Sequence, residues 1–320
     1  MATSEQIIAL IKAHYDVSSE SFNTIALQIA AYEAKCGHNV MATEIKKIVD
    51  KHRIIRPAKN VFMNPALSEM MMEEYHEFSL HDLISSASVK EKIDRIISEY
   101  QQRDILQKYG LCNRSKILLG GPSGTGKTMT ASVIARELEL PLYVIRIEKI
   151  LTKYMGETSA KLGQVFDVIN VHEGIYLFDE FDAIGTERSR DNEVGEMRRI
   201  LNSFLQFVER VNANSIIIAA TNHMEMLDKA LFRRFDDIVT YTLPSNQEIK
   251  QLLDIKLEDR INKSSKTKLI TSLQGLSHAD ICSVCMDALK ESILTNQPMT
   301  FAMVKKMISN RMNGYNNIAC

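Results

Sequence analysis

An α/β fold built on a parallel sheet is predicted by three observations. Apolar runs (KILLGG, LPLYVIRI, GIYLFDE, SIIIAATN and DIVTYTL) recur across residues 80–244, and each reads as a strand buried on both faces. Helical patterns separate these runs, as parallel strands require. A glycine-rich turn joins the first of them to a helix. The expected core is a three-layer α/β domain with a parallel sheet. A small helical domain precedes it and a second helical domain follows.

Residues 1–57 read as short amphipathic helices over about 5–15, 22–36 and 40–52. In the second, Phe22, Ile25, Ile29 and Tyr32 repeat at helical spacing, and Gly37 sits where a helix C-terminus favours glycine. Residues 58–79 contain Pro65 and the run Met70-Met71-Met72, which suits a linker or partly helical arm with methionines covering a packing seam. From 245 to 320 the pattern is helical again, in QEIKQLLDIKL, HADICSVCMDALKESIL and TFAMVKKMIS. The run from Lys263 to Lys268 reads as a solvated loop.

Bulk properties exclude several classes. The 320 residues are 45% hydrophobic and 25% charged, which supplies a sizeable core and argues against disorder. Lys plus Arg (39) nearly cancels Asp plus Glu (40), so neither a nucleic-acid nor a membrane-surface partner is expected. Five cysteines in no regular framework suit a reducing compartment, and the cytoplasm is the expected location. Cys282 and Cys285 lack the further ligands of a zinc site and read as helix cysteines. The N-terminus has no basic region ahead of an apolar stretch, and no run reaches the ~20 residues of a membrane span.

The chemistry concentrates at the turn. Gly121, Pro122, Ser123, Gly124, Thr125, Gly126, Lys127 and Thr128 match the phosphate-binding pattern GxxxxGK[ST], between a strand and a helix that opens near Met129. Glycines let backbone N–H groups approach phosphate oxygens, Lys127 brings charge to the β and γ phosphates, and the Thr128 hydroxyl suits Mg²⁺. GIYLFDE ends in Asp179 and Glu180, at the carboxyl end of a strand, where open α/β sheets place ligands. Asp179 would hold Mg²⁺ through its water shell, and Glu180 would orient the attacking water. SIIIAATN ends in Asn222, whose amide would hydrogen-bond both the γ-phosphate and that water.

Together these residues resemble the AAA family of ring ATPases over residues 80–293. Lys153-Tyr154-Met155-Gly156-Glu157 is similar to the aromatic loop lining the ring's pore, and Arg233 and Arg234 lie in a segment resembling the arginine finger. Gly275 to Ile281, with His278 and Ala279, resembles the helical-lid motif that contacts base and ribose. Asp82, Leu83 and Ile84, with Tyr109, Gly110 and Leu111, look like the edge of the adenine pocket. Departures are Ser123 at a common proline position, His278 at a common glycine, and Asp237 where some members carry another arginine.

The resemblance implies ATP and Mg²⁺ as cofactors and a homo-oligomeric ring, most often a hexamer, that grips a polypeptide substrate at Tyr154 and Met155. Some relatives carry a fused zinc protease marked by HExxH, a pattern this sequence lacks, so any proteolysis would come from a separate partner. The N-terminal stretch FNTIALQIAAYEAKCGHNVMATEIKKIVD is similar to bacterial AAA ATPases paired with subtilisin-like proteases in phage defence or plasmid maintenance. The alternative is a nucleotide-state switch that assembles with ATP and gates a partner enzyme without threading. A nucleic-acid motor is disfavoured by the balanced charge.

Overall fold

The computed structural model describes residues 19–35, 38, 41–43, 45, 65–75, 78–151, 155–185, 194–211 and 214–316. The chain divides into two units, Met1–Lys59 and Asn60–Cys320. In the first, helix α1 (Ser19–Lys35) buries Ala26, Ile29, Ala30 and Glu33, a helical stripe. Of the expected stripe, Ile29 is buried, Ile25 is half-buried and Tyr32 is exposed, while the Phe22 side chain lies outside the described residues. His38 Nδ1 lies 2.6 Å from the buried Glu33 carboxylate. The expected helix at 5–15 and most of that at 40–52 fall outside the described residues.

The second unit is built on a sheet of six strands: β1 (Met71–Glu74), β2 (Lys116–Gly120), β3 (Leu142–Ile145), β4 (Ile175–Phe178), β5 (Ile216–Thr221) and β6 (Asp237–Thr240). Their order is β1-β3-β4-β5-β2-β6, parallel except for β1, which pairs antiparallel with β3. The five apolar runs of the sequence are β2 to β6. Strand β1 departs from the expected linker. Helix α2 (Pro65–Met70) leads into it, Met70 and Met71 are buried while Met72 is exposed, and the edge of β3 supplies the backbone partners.

Helices α3 (Ala87–Gln101), α4 (Arg103–Lys108), α5 (Lys127–Glu137), α6 (Met155–Val171) and α7 (Val194–Arg210) belong to the same unit. Period-two alternation sorts the strand residues between two cores. Ile117, Leu119, Ile175 and Leu177 pack with Ile93 and Ile96 of α3 and Val133 and Ile134 of α5. Leu118, Tyr176 and Phe178 pack on the other face with Leu162 and Phe166 of α6 and Phe204 of α7. Three layers result, as the sequence predicts.

The C-terminal helices α8 (Asn246–Leu257), α9 (Lys263–Leu273), α10 (His278–Leu294) and α11 (Phe301–Asn316) enclose a third core around Ile249, Leu253, Leu269 and Ile281. Reciprocal capping boxes start α8 (Ser245 and Glu248) and α10 (Ser277 and Asp280). The run at Lys263–Lys268 is not a solvated loop but the start of α9. The Asn262 side chain caps it by accepting from the Ser265 N–H, and Lys266 is buried with its ammonium 2.9 Å from Asp254. Among the described residues no helix is long and apolar enough to cross a membrane.

Candidate active site

Three neighbouring strands deliver the site. β2, β4 and β5 run parallel and side by side, with Gly120 opposite Thr221 and Phe178 opposite Ala219. Their carboxyl ends bring the glycine-rich turn, the Asp179–Glu180 pair and Asn222 to one edge of the sheet. Ser123 to Met129, Asp179, Glu180 and Asn222 line one cavity of about 560 Å³ with Asp82, Leu83, Ile84, His278 and Ala279.

Glycine shapes the turn after β2. Gly121 has φ +146°, and a β-carbon there would lie 2.3 Å from the Tyr241 carbonyl oxygen. Gly124 has φ +72°, and its β-carbon would meet Ser277 Oγ at 2.6 Å and Ala279 Cβ at 3.0 Å, at the start of α10. The Ala279 N–H donates to the Gly124 carbonyl at 3.0 Å, so the turn and the C-terminal helices meet without spare room. Buried Thr125 closes the turn by donating to the Pro122 carbonyl at 2.8 Å. The first turn of α5 lines the cavity and brings the positive end of the helix to bear on it.

Lys127 is buried, and its ammonium donates to the carbonyls of Gly121 (2.7 Å) and Pro122 (2.9 Å) and to Asn222 Oδ1 (2.8 Å). Burial lowers its pKa, while the charges of Asp179 and Asp182 oppose that shift. Neutral acceptors thus hold the cation, and its charge remains available to an anion entering the cavity.

Thr128 Oγ1 donates to Asp179 Oδ2 at 2.8 Å, and Asp179 Oδ1 accepts from the Glu180 N–H at 2.9 Å. A hydroxyl and a carboxylate side by side are hard oxygen donors that fit Mg²⁺. The Glu180 carboxylate lines the cavity, exposed and without a hydrogen bond to any described residue. Its φ is +51°, a left-handed conformation that costs a residue with a β-carbon ~1–2 kcal/mol. Packing offsets this cost. Phe178 and Phe181, on either side of the acidic pair, are fully buried against Phe204, with ring centroids 5.2 and 4.8 Å away. The Phe181 N–H also donates to the Ala220 carbonyl at 2.8 Å. At the end of β5, Thr221 Oγ1 donates to Asp182 Oδ1 at 3.1 Å and accepts from the His223 N–H at 3.0 Å, which sets the bend that presents Asn222.

Comparison with known proteins bears on this arrangement. The family model described as ATPase family associated with various cellular activities (AAA) matches residues 117–243. An uncharacterized AAA family ATPase, y4kL of Sinorhizobium fredii, is 30% identical over 86% of this chain and 85% of that protein. The chain is an AAA-family ATPase. A putative 26S proteasome regulatory subunit homolog of Methanothermobacter thermautotrophicus is 30% identical over 60% of this chain and 53% of that protein. The ATP-dependent zinc metalloprotease FtsH of Karelsulcia muelleri is 29% identical over 69% of this chain and 37% of that protein. This AAA ATPase therefore spans about half of the first of these longer relatives and just over a third of the second. In fold it matches the crystal structure of the FIGL-1 AAA domain, with a TM-score of 0.62 at 20% identity over 82% of this chain and 95% of that one. The same domain in complex with ADP matches with a TM-score of 0.60 at 22% identity, over 75% and 86%.

Several expected residues of the AAA ATPase lie away from its cavity. Gly121 and Pro122 do not line it, and their carbonyls instead hold Lys127. Tyr109, Gly110 and Leu111 are absent from the lining, against the adenine-edge expectation. Tyr109 and Leu111 are exposed, and Gly110, at φ +71°, ends α4 in a turn closed by bonds from its own N–H to Gln107 and from Leu111 to Leu106. Arg233 and Arg234 are exposed outside the cavity, and Arg234 pairs with Glu209 on α7. Tyr154 lies outside the described residues, and Met155 is known only as the first residue of α6.

Sequence reasoning alone misses Phe78, Leu252, Ile255, Lys256 and Cys282, which also line the cavity. For Cys282 alone there is a signal, its i, i+4 spacing from His278 on α10, which places both on one face. The close approach at Gly124 yields a direct test. Gly124→Ala is expected to push the start of α10 away and raise KM for ATP roughly tenfold, the scale of ~1.4 kcal/mol of strain. Steady-state kinetics measure this, and an unchanged KM would refute the close approach.

Proposed function

We propose that the chain cleaves ATP in this cavity as one subunit of a ring and uses the energy to remodel or unfold protein substrates. The observation that carries the reading is the convergence of Lys127, Thr128, Asp179, Glu180 and Asn222 on one cavity, each with a separate chemical task. The turn and the N-terminus of α5 receive the phosphates, and Lys127 leaves its carbonyl acceptors to bind the β and γ groups. Thr128 and Asp179 would hold Mg²⁺, which when bound neutralises phosphate charge. Glu180, whose carboxylate is not engaged by any described residue, takes the proton of the attacking water, and Asn222 orients that water against the γ-phosphate.

The exposed Arg233 and Arg234 support assembly. Neither lines the cavity of its own chain, so they suit delivery to a neighbour's γ-phosphate, where such an arginine contributes ~10³–10⁵ in rate. A head-to-tail interface of this kind closes into a ring, which we take to be a hexamer. Leu83 and Ile84, with Asp82 and the lid residues His278 and Ala279, receive the base and sugar.

Remodelling of polypeptides draws support from the likeness to a proteasome regulatory subunit homolog and to FtsH. We further propose a separate protease partner of subtilisin type, in a phage-defence or plasmid-maintenance pair, on the strength of the N-terminal resemblance. Tyr154 and Met155 would grip the substrate. Tyr154→Ala removes most of the apolar surface of that grip. It is accordingly expected to retain ATP hydrolysis within about twofold while unfolding of a labelled model substrate falls at least tenfold, on the order of 1.4 kcal/mol. Unfolding that survives this change would favour the nucleotide-state switch.

A further inference from the structure

Tyr241 directly follows β6 and begins the segment that leads to α8. Its backbone holds the near side of the phosphate turn. The Tyr241 N–H donates to the Gly120 carbonyl at 2.7 Å, and its own carbonyl oxygen would stand 2.3 Å from a β-carbon at Gly121. Its side chain reaches the far side of the turn. The phenol is buried, and its hydroxyl lies 2.5 Å from Oγ1 of the fully buried Thr130 on α5. Thr130 Oγ1 in turn donates to the Gly126 carbonyl at 2.9 Å. A threonine hydroxyl has one proton, so the Tyr241 hydroxyl is the other donor and the chain runs from Tyr241 through Thr130 to Gly126. Burial pushes the phenol pKa up to about 12, which keeps that proton in place.

The chain ends on the peptide that opens α5. Gly126 has φ +100°, a conformation from which a glycine can turn its peptide plane at little steric cost. Its carbonyl points along the helix, where it also accepts from the Thr130 N–H at 2.9 Å. The carbonyl and N–H of a planar trans peptide point in opposite directions. The Lys127 N–H therefore faces out of the helix N-terminus, toward the cavity that Gly126, Lys127 and Thr128 line. A helical threonine divides its hydroxyl between two rotamers, and the bond from Tyr241 selects the one aimed at Gly126.

We propose that Tyr241 and Thr130 are positioning residues that hold the Gly126–Lys127 peptide with its N–H turned to the phosphates of the bound nucleotide. This inference rests on the reading that residues 121–128 receive those phosphates. A contact of this kind is made in ground and transition states alike, so its loss appears in KM and not in kcat.

Thr130→Val keeps the side-chain shape and removes the hydroxyl. It is expected to raise KM for ATP about fivefold, the scale of one buried hydrogen bond, with kcat within about twofold of wild type. Thr130→Ser keeps the hydroxyl and is expected to keep a KM near the wild-type value. The double variant Thr130→Val with Tyr241→Phe separates positioning from packing. Replacing both partners of a buried pair by apolar groups of the same shape can be nearly neutral for stability. The double variant should thus regain the Tm that Thr130→Val loses, yet keep the raised KM. Should Thr130→Val fail to fold, the double variant carries the same comparison. An unchanged KM in either variant, a fall in kcat at unchanged KM, or a KM that Thr130→Ser does not restore would overturn the assignment. Lys127→Ala separates the two levels. Wild-type ATP binding in that variant refutes the phosphate site itself, whereas lost binding beside an unchanged KM in the double variant refutes only the positioning role.

Discussion

Lys127→Ala is expected to abolish ATP turnover, with kcat/KM falling by at least ~10²-fold while the fold persists. The lysine ammonium is the buried cation closest to the phosphate turn, and it is held by two carbonyls and the Asn222 amide oxygen. A charge-assisted hydrogen bond contributes ~1.5–3 kcal/mol, and loss of two such bonds to phosphates corresponds to ~10²–10⁴ in rate. Stability should change little. Removal of the ammonium leaves the Gly121 carbonyl and Asn222 Oδ1 without this donor, while the Pro122 carbonyl keeps Thr125, and it also removes the desolvation cost that depresses the lysine pKa. Phosphate release and nucleotide binding measure the first effect, and thermal unfolding the second. Turnover that survives at the wild-type rate would exclude this cavity as the hydrolytic site.

Glu180→Gln separates binding from chemistry. The substitution preserves the β-carbon and side-chain length, so the left-handed backbone at φ +51° and its anchors Phe178 and Phe181 are unaffected. Only the capacity to take a proton is lost. Hydrolysis should fall by ~10²–10⁴, the range of general base catalysis, with ATP affinity retained. The trapped ATP state should also elute as a larger assembly in gel filtration than the nucleotide-free chain does, if the nucleotide bridges subunits. A Gln variant that hydrolyses ATP within a few-fold of wild type would remove Glu180 from the mechanism.

Much of this site was legible because its parts are local. KILLGG, GIYLFDE and SIIIAATN are contiguous runs that lead into the residues proposed to carry the chemistry, and parallel pairing of β2, β4 and β5 brings those ends together. What escaped the sequence was decided by distant partners. Met71–Glu74 became a strand because the edge of β3 was open to it, a property of the folded sheet and not of four residues. The lysine-rich start of α9 became helical through the Asn262 cap and the burial of Lys266, Leu269 and Leu273 on one face. Ile255 and Lys256 join the cavity only because α8 packs beside α10. Tyr109 and Leu111 misled for the converse reason, since a familiar local pattern here serves to end a helix.

Asp280 closes the capping box of α10 through Ser277 and, with its other oxygen, accepts from Arg311 Nε and Nη2 of α11 at 2.9 and 2.7 Å. One carboxylate thus rivets the helix that touches the phosphate turn to the last described helix of the chain. On the proposed reading of the cavity, a shift of Gly124 with the arrival or departure of a γ-phosphate would bear on the start of α10. It would reach α11 directly through the Asp280–Arg311 pair, the linkage of a crank arm.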